Sequence, residues 1–355
     1  MSAPETGACS AQRPRYAVQI HPSLRCNLSC PHCYSQSGPA VRTGLDVQTV
    51  LDVIADAAAL GYEIVSFSGG EPLMYAGLAD ACAFAKSLGL TVTIVTNGFF
   101  LDARHLDPLA GFVDGLAISL DGDAALHNTM RGSSLAHDRV LHGLDAVRSR
   151  GIPFGFIHAL TAQSWAHLEA LVEFAAHEGA ELFQIHPLEA QGRAADWDAD
   201  AGANDTTLAK VYVLTRLLNA QYRGKPNVSF DAAPTSTLVD HPELIYGDDG
   251  APAGSAPGLL RNLIVEADGT VVPFTYGLAR EFAIGNVTQS RLHEAVPTFL
   301  ASERYGALKD LCRRVHTSLA AAGTPPLTNW YEVLRRESRR DGEATSYGAA
   351  GVLVK

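Results

Sequence analysis

The chain has 355 residues, of which 47% are hydrophobic, and its formal net charge is −11 because 38 acidic residues outnumber 27 basic ones. This apolar fraction is typical of a globular protein with a large core. The acidic balance argues against a nucleic-acid-binding surface. The N-terminus "MSAPETGACSAQRPRY" has no apolar segment of a secretory signal, and no apolar run reaches the roughly 18 residues of a membrane span. We therefore expect a cytoplasmic protein with reduced thiols and neither nucleic-acid nor membrane partners.

Short apolar runs alternate with helical stretches from residue 15 to about 190. The runs are "YAVQIH" (16–21), "EIVSFSG" (63–69), "TVTIVTN" (91–97), "GLAISLD" (115–121), "FGFIHAL" (154–160) and "LFQIHPL" (182–188). Near-continuous apolar strands of this kind suit a parallel sheet covered by helices. The pattern predicts an α/β fold with six βα units, two fewer than a closed TIM barrel.

The unusual polar stretches all follow one of these strands. "CNLSCPHC" follows the first strand, "GGEP" the second, "TNG" the third and "DG" the fourth, while "HALT" and "HPLE" close the last two. In parallel α/β architectures ligands bind at the carboxyl ends of the strands. We therefore expect a single site on this rim.

The second half of the chain has a different character. A helix is expected over 206–222, followed by a mobile loop rich in Pro, Gly and Ala over 232–258. A hairpin, "NLIVEADGTVVPFTY", has the turn signal Asp268-Gly269, and helices are expected over 289–321 and 328–340. The expected division is an N-terminal extension, a barrel, a helix and loop linker, an α+β cap and a flexible tail, with boundaries 1–14, 15–200, 201–258, 259–340 and 341–355.

Three of the six cysteines lie in one loop, as Cys26, Cys30 and Cys33, with the spacing C-x3-C-x2-C. Structural zinc normally takes four protein ligands, and Fe–S clusters are normally held by four cysteines. Three ligands leave one coordination position open, which is where metal sites do chemistry. A zinc site that recruits His32 or Cys312 is an alternative, whereas a redox C-x2-C pair would leave Cys26 unexplained.

This loop, together with "SGGEP" at 68–72, resembles the signature of the radical SAM enzymes. The resemblance implies that the three cysteines hold one [4Fe–4S] cluster and that the amino and carboxylate groups of S-adenosylmethionine (SAM) chelate its fourth iron. One electron then splits SAM into methionine and a 5′-deoxyadenosyl radical. It also implies an electron donor such as flavodoxin or ferredoxin.

The same resemblance assigns residues to SAM. Gly69, Gly70 and Glu71 would form the site for the SAM amine, and glycines permit close approach of the backbone to a ligand. Three polar residues that follow later strands would contact the SAM carboxylate or ribose: Asn97, Ser119 and Asp121. Gln184 is also assigned to the cofactor-binding residues. Alternatively, Asn97-Gly98 and Asp121-Gly122 are ordinary turn pairs.

The candidate catalytic residues are Arg131, His158, His186 and Cys312. "LHNTMRG" resembles the H-x3-R-G stretch of the SPASM subgroup, so Arg131 is expected either to pair with a carboxylate of SAM or substrate or to lie in a surface salt bridge. His158 and His186 are candidates for proton transfer near neutral pH, with packing as the alternative. Cys312 is a candidate hydrogen donor for an epimerisation.

The C-terminal hairpin resembles the start of a SPASM or twitch domain, whose pattern reads approximately D-G-x-v-x-P-C and later G-N-v. Phe274 stands at the cysteine position, while Gly285-Asn286 remain. Because an auxiliary Fe–S cluster needs about four ligands, and Cys9, Cys82 and Cys312 do not make a set, we expect no auxiliary cluster.

The resemblance points to an oxidoreductase of the cross-linking or epimerising type that matures ribosomally made peptides. The alternatives are a radical SAM enzyme that acts on a small molecule in antibiotic or cofactor biosynthesis, and a non-catalytic zinc-binding scaffold. About 15 residues precede the first strand, too few for a leader-peptide-binding domain. A separate leader-recognition protein is therefore an expected partner.

Overall fold

A computed structural model describes residues 15–197, 201–246, 258–321 and 323–349, with side chains as far as 340. The strands are β1 (Ala17–Ile20), β2 (Ile64–Phe67), β3 (Thr91–Thr96), β4 (Gly115–Ser119), β5 (Phe154–Leu160), β6 (Leu182–Pro187), β7 (Asn227–Phe230), β8 (Ala233–Pro234), β9 (Asn262–Val265), β10 (Thr270–Pro273), β11 (Gly285–Asn286) and β12 (Leu327–Thr328). The helices are α1 (Val47–Ala59), α2 (Leu78–Ser87), α3 (Ala103–Leu106), α4 (Ala124–Arg131), α5 (Ala136–Ser149), α6 (Leu168–His177), α7 (Asp205–Gln221), α8 (Thr235–Asp240), α9 (Leu292–Leu300), α10 (Glu303–Leu319) and α11 (Trp330–Ala349).

The first six strands form one parallel sheet in chain order, each joined to the next through one or more helices. β1 pairs with β2 in the register Ala17↔Ile64, and each later strand adds to the same growing edge. This arrangement confirms the predicted α/β fold with a partial barrel and a C-terminal extension.

The second half of the chain widens the sheet at both edges, which the six-strand prediction did not anticipate. β7 pairs parallel to β6, and β9 pairs parallel to β1 in the register Ala17↔Asn262. The predicted hairpin is present, since β10 runs antiparallel to β9 and continues to β11. The sheet of the cap is therefore continuous with the barrel sheet. Its strand β9 pairs with β1, the strand that precedes the cysteine loop.

Each barrel strand has one fully buried face and one partly accessible face. In β6, Phe183 and Ile185 are completely buried in the core with apolar residues of the helices, whereas Gln184 and His186 are partly accessible. The same alternation holds in β1, β2 and β3. Because helices cover the outer face of such a sheet, the accessible residues line the interior of the barrel.

Two segments predicted to be irregular contain regular structure. The segment over 232–258, expected as a mobile loop, includes β8 and α8 in its described part. The helix expected over 328–340 continues to Ala349, into the segment predicted as a flexible tail. The extension over 1–14, residues 247–257 and residues 350–355 lie outside the described residues. No helix in the described part of the chain is long and apolar enough to cross a membrane.

Candidate active site

The cysteine loop leaves the end of β1 and is fixed by its own backbone. The amide of Cys26 donates to the carbonyl of Gly38 at 3.2 Å, and the amide of Cys33 donates to the carbonyl of Cys30 at 3.2 Å. Cys26 and Cys30 are buried, whereas Cys33 is partly accessible. The loop therefore places its three cysteines at the carboxyl rim of the sheet.

The thiols have polar neighbours from other strand ends. Asn97 Nδ2 lies 3.6 Å from Cys26 Sγ, and the thiol of Cys30 donates to the carbonyl of Arg131 at 3.7 Å. Burial raises the pKa of Cys26 to about 12, and it raises the pKa of Cys30 against the opposing effect of the Arg131 guanidinium. Thiols in such surroundings ionise when a metal takes the proton's place, so the donor set suits thiolate ligation.

The donor set of the cysteine loop consists of three thiols. Among the described residues, no three His, Cys, Asp or Glu side chains are arranged so that they could hold one metal ion. This does not support the zinc alternative that recruited His32 or Cys312. Each cysteine of a [4Fe–4S] cluster binds a different iron, so three cysteines of one loop would supply the ligands of three irons.

The glycine pair of "GGEP" is required by packing of this loop against the cysteine loop. A Cβ on Gly70 would lie 2.2 Å from the carbonyl oxygen of Arg25, and Gly69 has φ +102° with a Cβ position 2.8 Å from the carbonyl oxygen of Ser23. The amide of Gly70 donates to Ser23 O at 2.9 Å. The main chain of the GGEP loop is thus in direct contact with the main chain of the cysteine loop. Close approach to a neighbouring loop, rather than to a ligand, explains these glycines.

Glu71 is buried and its carboxylate accepts several hydrogen bonds. Oε1 accepts from the amide of Leu73 at 3.0 Å and from the hydroxyl of Thr96 at 2.8 Å, while Oε2 accepts from the amide of Asn97 at 2.8 Å. Burial raises the pKa of Glu71, and these donors oppose the rise. The carboxylate therefore ties the end of β2 to the end of β3, and only its remaining lone pairs are available to a ligand.

Asn97 and Ser119 lie at the rim, as predicted. Asn97 Nδ2 donates to Asn27 Oδ1 at 2.9 Å, so its side chain links β3 to the cysteine loop. Ser119 ends β4 and is 8% exposed. Asn97 therefore contacts the cysteine loop, and Ser119 lies at the end of β4, the strand next to β3.

Asp121 and Arg131 form a buried ion pair beside Cys30. Arg131 Nε lies 2.7 Å from Asp121 Oδ2, at an angle that does not make a directed hydrogen bond, and Asp121 Oδ1 accepts from the amide of Ala159 at 3.0 Å. Burial alone would raise the pKa of Asp121, but Arg131 and three nearby histidines together outweigh burial and hold this pKa well below its usual range. Arg131 is therefore neither on the surface nor free for a substrate, and it places a positive charge at Cys30.

His158 does not have the environment of a proton-transfer residue. It is completely buried, with Nδ1 3.1 Å from the carbonyl oxygen of Leu120 and Nε2 2.9 Å from the hydroxyl of Ser164. Burial lowers its pKa. Both ring nitrogens are engaged, so the structure supports the packing alternative.

His186 is accessible but is not poised to exchange protons at neutral pH. Its Nδ1 lies 2.8 Å from Asp231 Oδ2, and its Nε2 lies 3.4 Å from Glu189 Oε1. Burial alone would lower the pKa of His186, but these two carboxylates raise it to about 10. His186 is therefore an imidazolium at neutral pH. Gln184, expected at SAM, instead donates to Asp231 at 2.7 Å.

Cys312 is enclosed by the core of the cap. It is completely buried in α10, and burial raises its pKa to about 12. This position does not support a role as hydrogen donor. Cys82 is likewise a buried residue of α2, and Cys9 lies outside the described residues. Phe274, at the position of the cysteine in SPASM domains, has φ +67° and is 8% exposed.

Arg193 is a structural partner of the cysteine loop that sequence reasoning missed. Its Nε donates to the carbonyl of Cys30 and its Nη2 to the carbonyl of Ser37, both at 2.8 Å, while its amide donates to Cys33 O at 3.0 Å. Gly192 has φ +60°, and a Cβ there would lie 2.4 Å from Cys33 O. "QGRA" resembles the segment after the barrel in the family, but its sequence gives no sign of this long-range contact.

Comparison with known proteins supports the assignment suggested by this rim. The sequence profile of the radical SAM superfamily matches residues 20–175. Pre-heme d1 synthase of Dinoroseobacter shibae is 28% identical over 305 residues, which are 79% of this chain and 73% of that protein. PqqA peptide cyclase of Ruegeria pomeroyi is 28% identical over 70% of this chain and 64% of its own length. The chain spans only about half the length of other curated relatives that it matches.

Solved structures share the fold over most of the chain. Streptococcus suis SuiB, in a crystal structure with its precursor peptide SuiA, superposes with a TM-score of 0.65 at 18% identity, covering 83% of this chain and 66% of SuiB. Radical SAM enzymes use a [4Fe–4S] cluster and SAM, the two groups that the residues of this rim fit. Residues 20–175 are therefore a radical SAM domain, and most of the chain shares the fold of SuiB.

Proposed function

We propose that the protein is a radical SAM oxidoreductase that cross-links a ribosomally made precursor peptide, with the electron lost by the substrate radical returning to the cluster. Epimerisation, the alternative, would need a hydrogen-atom donor other than the buried Cys312. The observation that carries this proposal is the convergence of Cys26, Cys30 and Cys33 with Glu71 and Asn97 at one rim of a barrel with an accessible polar interior. A peptide segment can enter such an interior from the rim.

When bound at this rim, the [4Fe–4S] cluster and SAM supply a 5′-deoxyadenosyl radical that removes a hydrogen atom from a substrate carbon. Cys26, Cys30 and Cys33 would hold the cluster, and Glu71 would offer its remaining lone pairs to the SAM amine. The Ser119 hydroxyl would form a hydrogen bond with the SAM carboxylate or ribose. Asn97 would position the cysteine loop through its contacts with Cys26 and Asn27.

The charge of the interior favours a peptide over a heme precursor. Glu189 and Asp231 place two carboxylates around the single imidazolium of His186. Heme precursors carry several carboxylates of their own, which would be repelled there. A peptide offers neutral amides and, where the sequence provides them, cationic side chains. PqqA peptide cyclase is a relative whose name indicates a peptide.

A small-molecule substrate is the second candidate. Pre-heme d1 synthase aligns with 79% of this chain, more than PqqA peptide cyclase does. The proposal also includes protein partners. A flavodoxin or ferredoxin would supply electrons for either substrate class, and a separate protein would deliver the leader region if the substrate is a precursor peptide.

Deuterium transfer tests this proposal and separates the two substrate classes. The source organism is grown in heavy water, and its extract is divided by size into a peptide fraction and a metabolite fraction. Each fraction is incubated with the reconstituted enzyme, SAM and a reductant. We expect 5′-deoxyadenosine to gain deuterium with the peptide fraction. Deuterium gained only from the metabolite fraction would establish the small-molecule alternative.

A further inference from the structure

A charged network joins the barrel interior to the cap helix. At its centre His186 contacts Asp231 at 2.8 Å and Glu189 at 3.4 Å. From the cap, Asn329 Nδ2 donates to Glu189 Oε1 at 3.3 Å, and Arg335 Nη2 lies 3.4 Å from Glu189 Oε2. Side chains from β6, from the end of β7 and from α11 therefore meet at one place.

The network is accessible and lies close to the cysteine loop. The side chain of His186 is 44% exposed and that of Asp231 is 30% exposed, although both come from interior strand ends. Glu189 lies in the short segment that leads from β6 to Arg193, whose amide donates to Cys33 O at 3.0 Å. This segment connects the network to the cysteine loop.

The network has one carboxylate in excess. Asp231, Glu189 and Glu332 give three negative charges, and His186 and Arg335 give two positive ones. Arg336 also acts on Glu332, but its guanidinium pairs with Glu337 at 3.5 Å. Glu332 is half-buried on α11 and makes no ion pair within the described residues. Burial raises the pKa of Glu332, and Glu189 raises it further. A cation placed between these carboxylates would relieve both effects.

Arg335 gives a second and independent sign of a missing ligand. Its side chain is 5% exposed, and its Nε has no hydrogen-bond partner within the described part of the chain. Buried N–H donors are nearly always paired in folded proteins. Glu332 and Arg335 are three residues apart, so they share one face of α11. That face offers an unpaired carboxylate and an unsatisfied donor to the same ligand.

We propose that this network binds a lysine or arginine residue of the substrate. The side-chain cation lies between Glu332 and Glu189, and a main-chain carbonyl of the same residue accepts from Arg335 Nε. A lysine or arginine residue satisfies both halves of the site, whereas a polyanion could accept from Arg335 but would be repelled by Glu332 and Glu189. This inference rests on the peptide substrate proposed above and adds the side-chain class that the peptide must contain.

A random peptide library displayed on mRNA tests the inference. The reconstituted enzyme with SAM is immobilised, and retained peptides are sequenced after washing in physiological salt. We expect lysine or arginine to be enriched about tenfold at one position, the effect of a charge-assisted contact worth about 1.4 kcal/mol. The enrichment should disappear with Glu332→Gln. It should remain with Asp310→Asn, which changes an exposed carboxylate of α10 that pairs with Arg313.

Each other outcome decides a separate point. Enriched peptides without a basic preference, or a basic preference that Glu332→Gln retains, would overturn the inference. If no variant retains any peptide, the peptide function fails, and equilibrium dialysis with spermidine then tests the cation site. Glu332-dependent spermidine binding would support the site, and equal binding by wild type and Glu332→Gln would overturn it. Iron content and circular dichroism identify a variant that has failed to fold.

Discussion

Arg193 Nε donates a hydrogen bond of 2.8 Å to the carbonyl of Cys30, across 163 positions of sequence. Arg193 Nη2 also donates to Ser37 O, so a single guanidinium supports both ends of the loop that contains Cys30 and Cys33. The segment after β6 therefore stabilises the cysteine loop through these hydrogen bonds. Its removal should affect metal loading before it affects the rest of the barrel.

Replacing Arg193 with methionine should reduce the iron content of reconstituted protein to less than half. Two hydrogen bonds from a charged donor, each worth about 1.5 kcal/mol, would be lost, so about 3 kcal/mol of local stability would disappear. Arg193→Lys should restore part of the iron content because one donor can still reach a carbonyl. Equal iron content in all three proteins would show that these hydrogen bonds are dispensable.

Much of the barrel could be predicted because local sequence patterns determine its strands and helices. β1 to β6 are apolar runs, and Asp46 caps α1 by accepting from the amide of Thr49 at 2.8 Å, which a sequence pattern can indicate. The pairing of β9 with β1 could not be predicted, because it joins residues about 245 positions apart with no local signal. The short polar strand β7 was missed for a similar reason.

The site was predictable in its ligands but not in its supports. Cys26, Cys30, Cys33 and the GGEP loop follow strands, so their convergence was expected from the rule for parallel sheets. Asp231 was missed because it follows a strand that was not recognised. Asp231 and Glu189 raise the pKa of His186, so His186 is an imidazolium at neutral pH rather than the predicted proton-transfer group.

Substitution of Gly70 by alanine should disrupt cluster loading. Its Cβ would lie 2.2 Å from Arg25 O and 2.7 Å from Arg25 C, which are main-chain atoms that cannot move aside cheaply. Gly306→Ala is the matched control, because no atom lies within 4 Å of its Cβ position in α10. The control should stabilise the helix by about 0.5–1 kcal/mol. Normal iron content in Gly70→Ala would contradict the tight contact between the two loops.

Loss of Asp121 should be strongly destabilising, because it would leave the buried Arg131 charge unpaired. Asp121→Asn leaves the Arg131 charge without a counter-charge, which should cost about 3–5 kcal/mol in chemical denaturation of the metal-free protein. Asp145→Asn removes an exposed partner of Arg148 and should cost less than about 1 kcal/mol. A similar small cost for both variants would mean that water reaches the buried pair.

The contribution of His186 to stability should depend on pH in a defined direction. Its pKa in the folded protein is about 10, above the ordinary value of 6.5. The stabilisation is therefore complete below pH 6.5 and is lost as the pH rises toward 10. Thermal unfolding of wild type and His186→Gln, followed across the interval bounded by these two values, should give a Tm difference that shrinks as the pH rises. A difference that grows with pH would contradict the ion pairs with Asp231 and Glu189.

The most direct measurement is made on anaerobically reconstituted protein beside a variant with Cys26, Cys30 and Cys33 all changed to alanine. Iron content and the 5′-deoxyadenosine formed from SAM with a strong reductant are measured in both. We predict about four irons per chain, as expected for one [4Fe–4S] cluster, and 5′-deoxyadenosine that disappears in the variant. About eight irons would reveal an auxiliary cluster, and bound zinc without 5′-deoxyadenosine would contradict the radical SAM assignment.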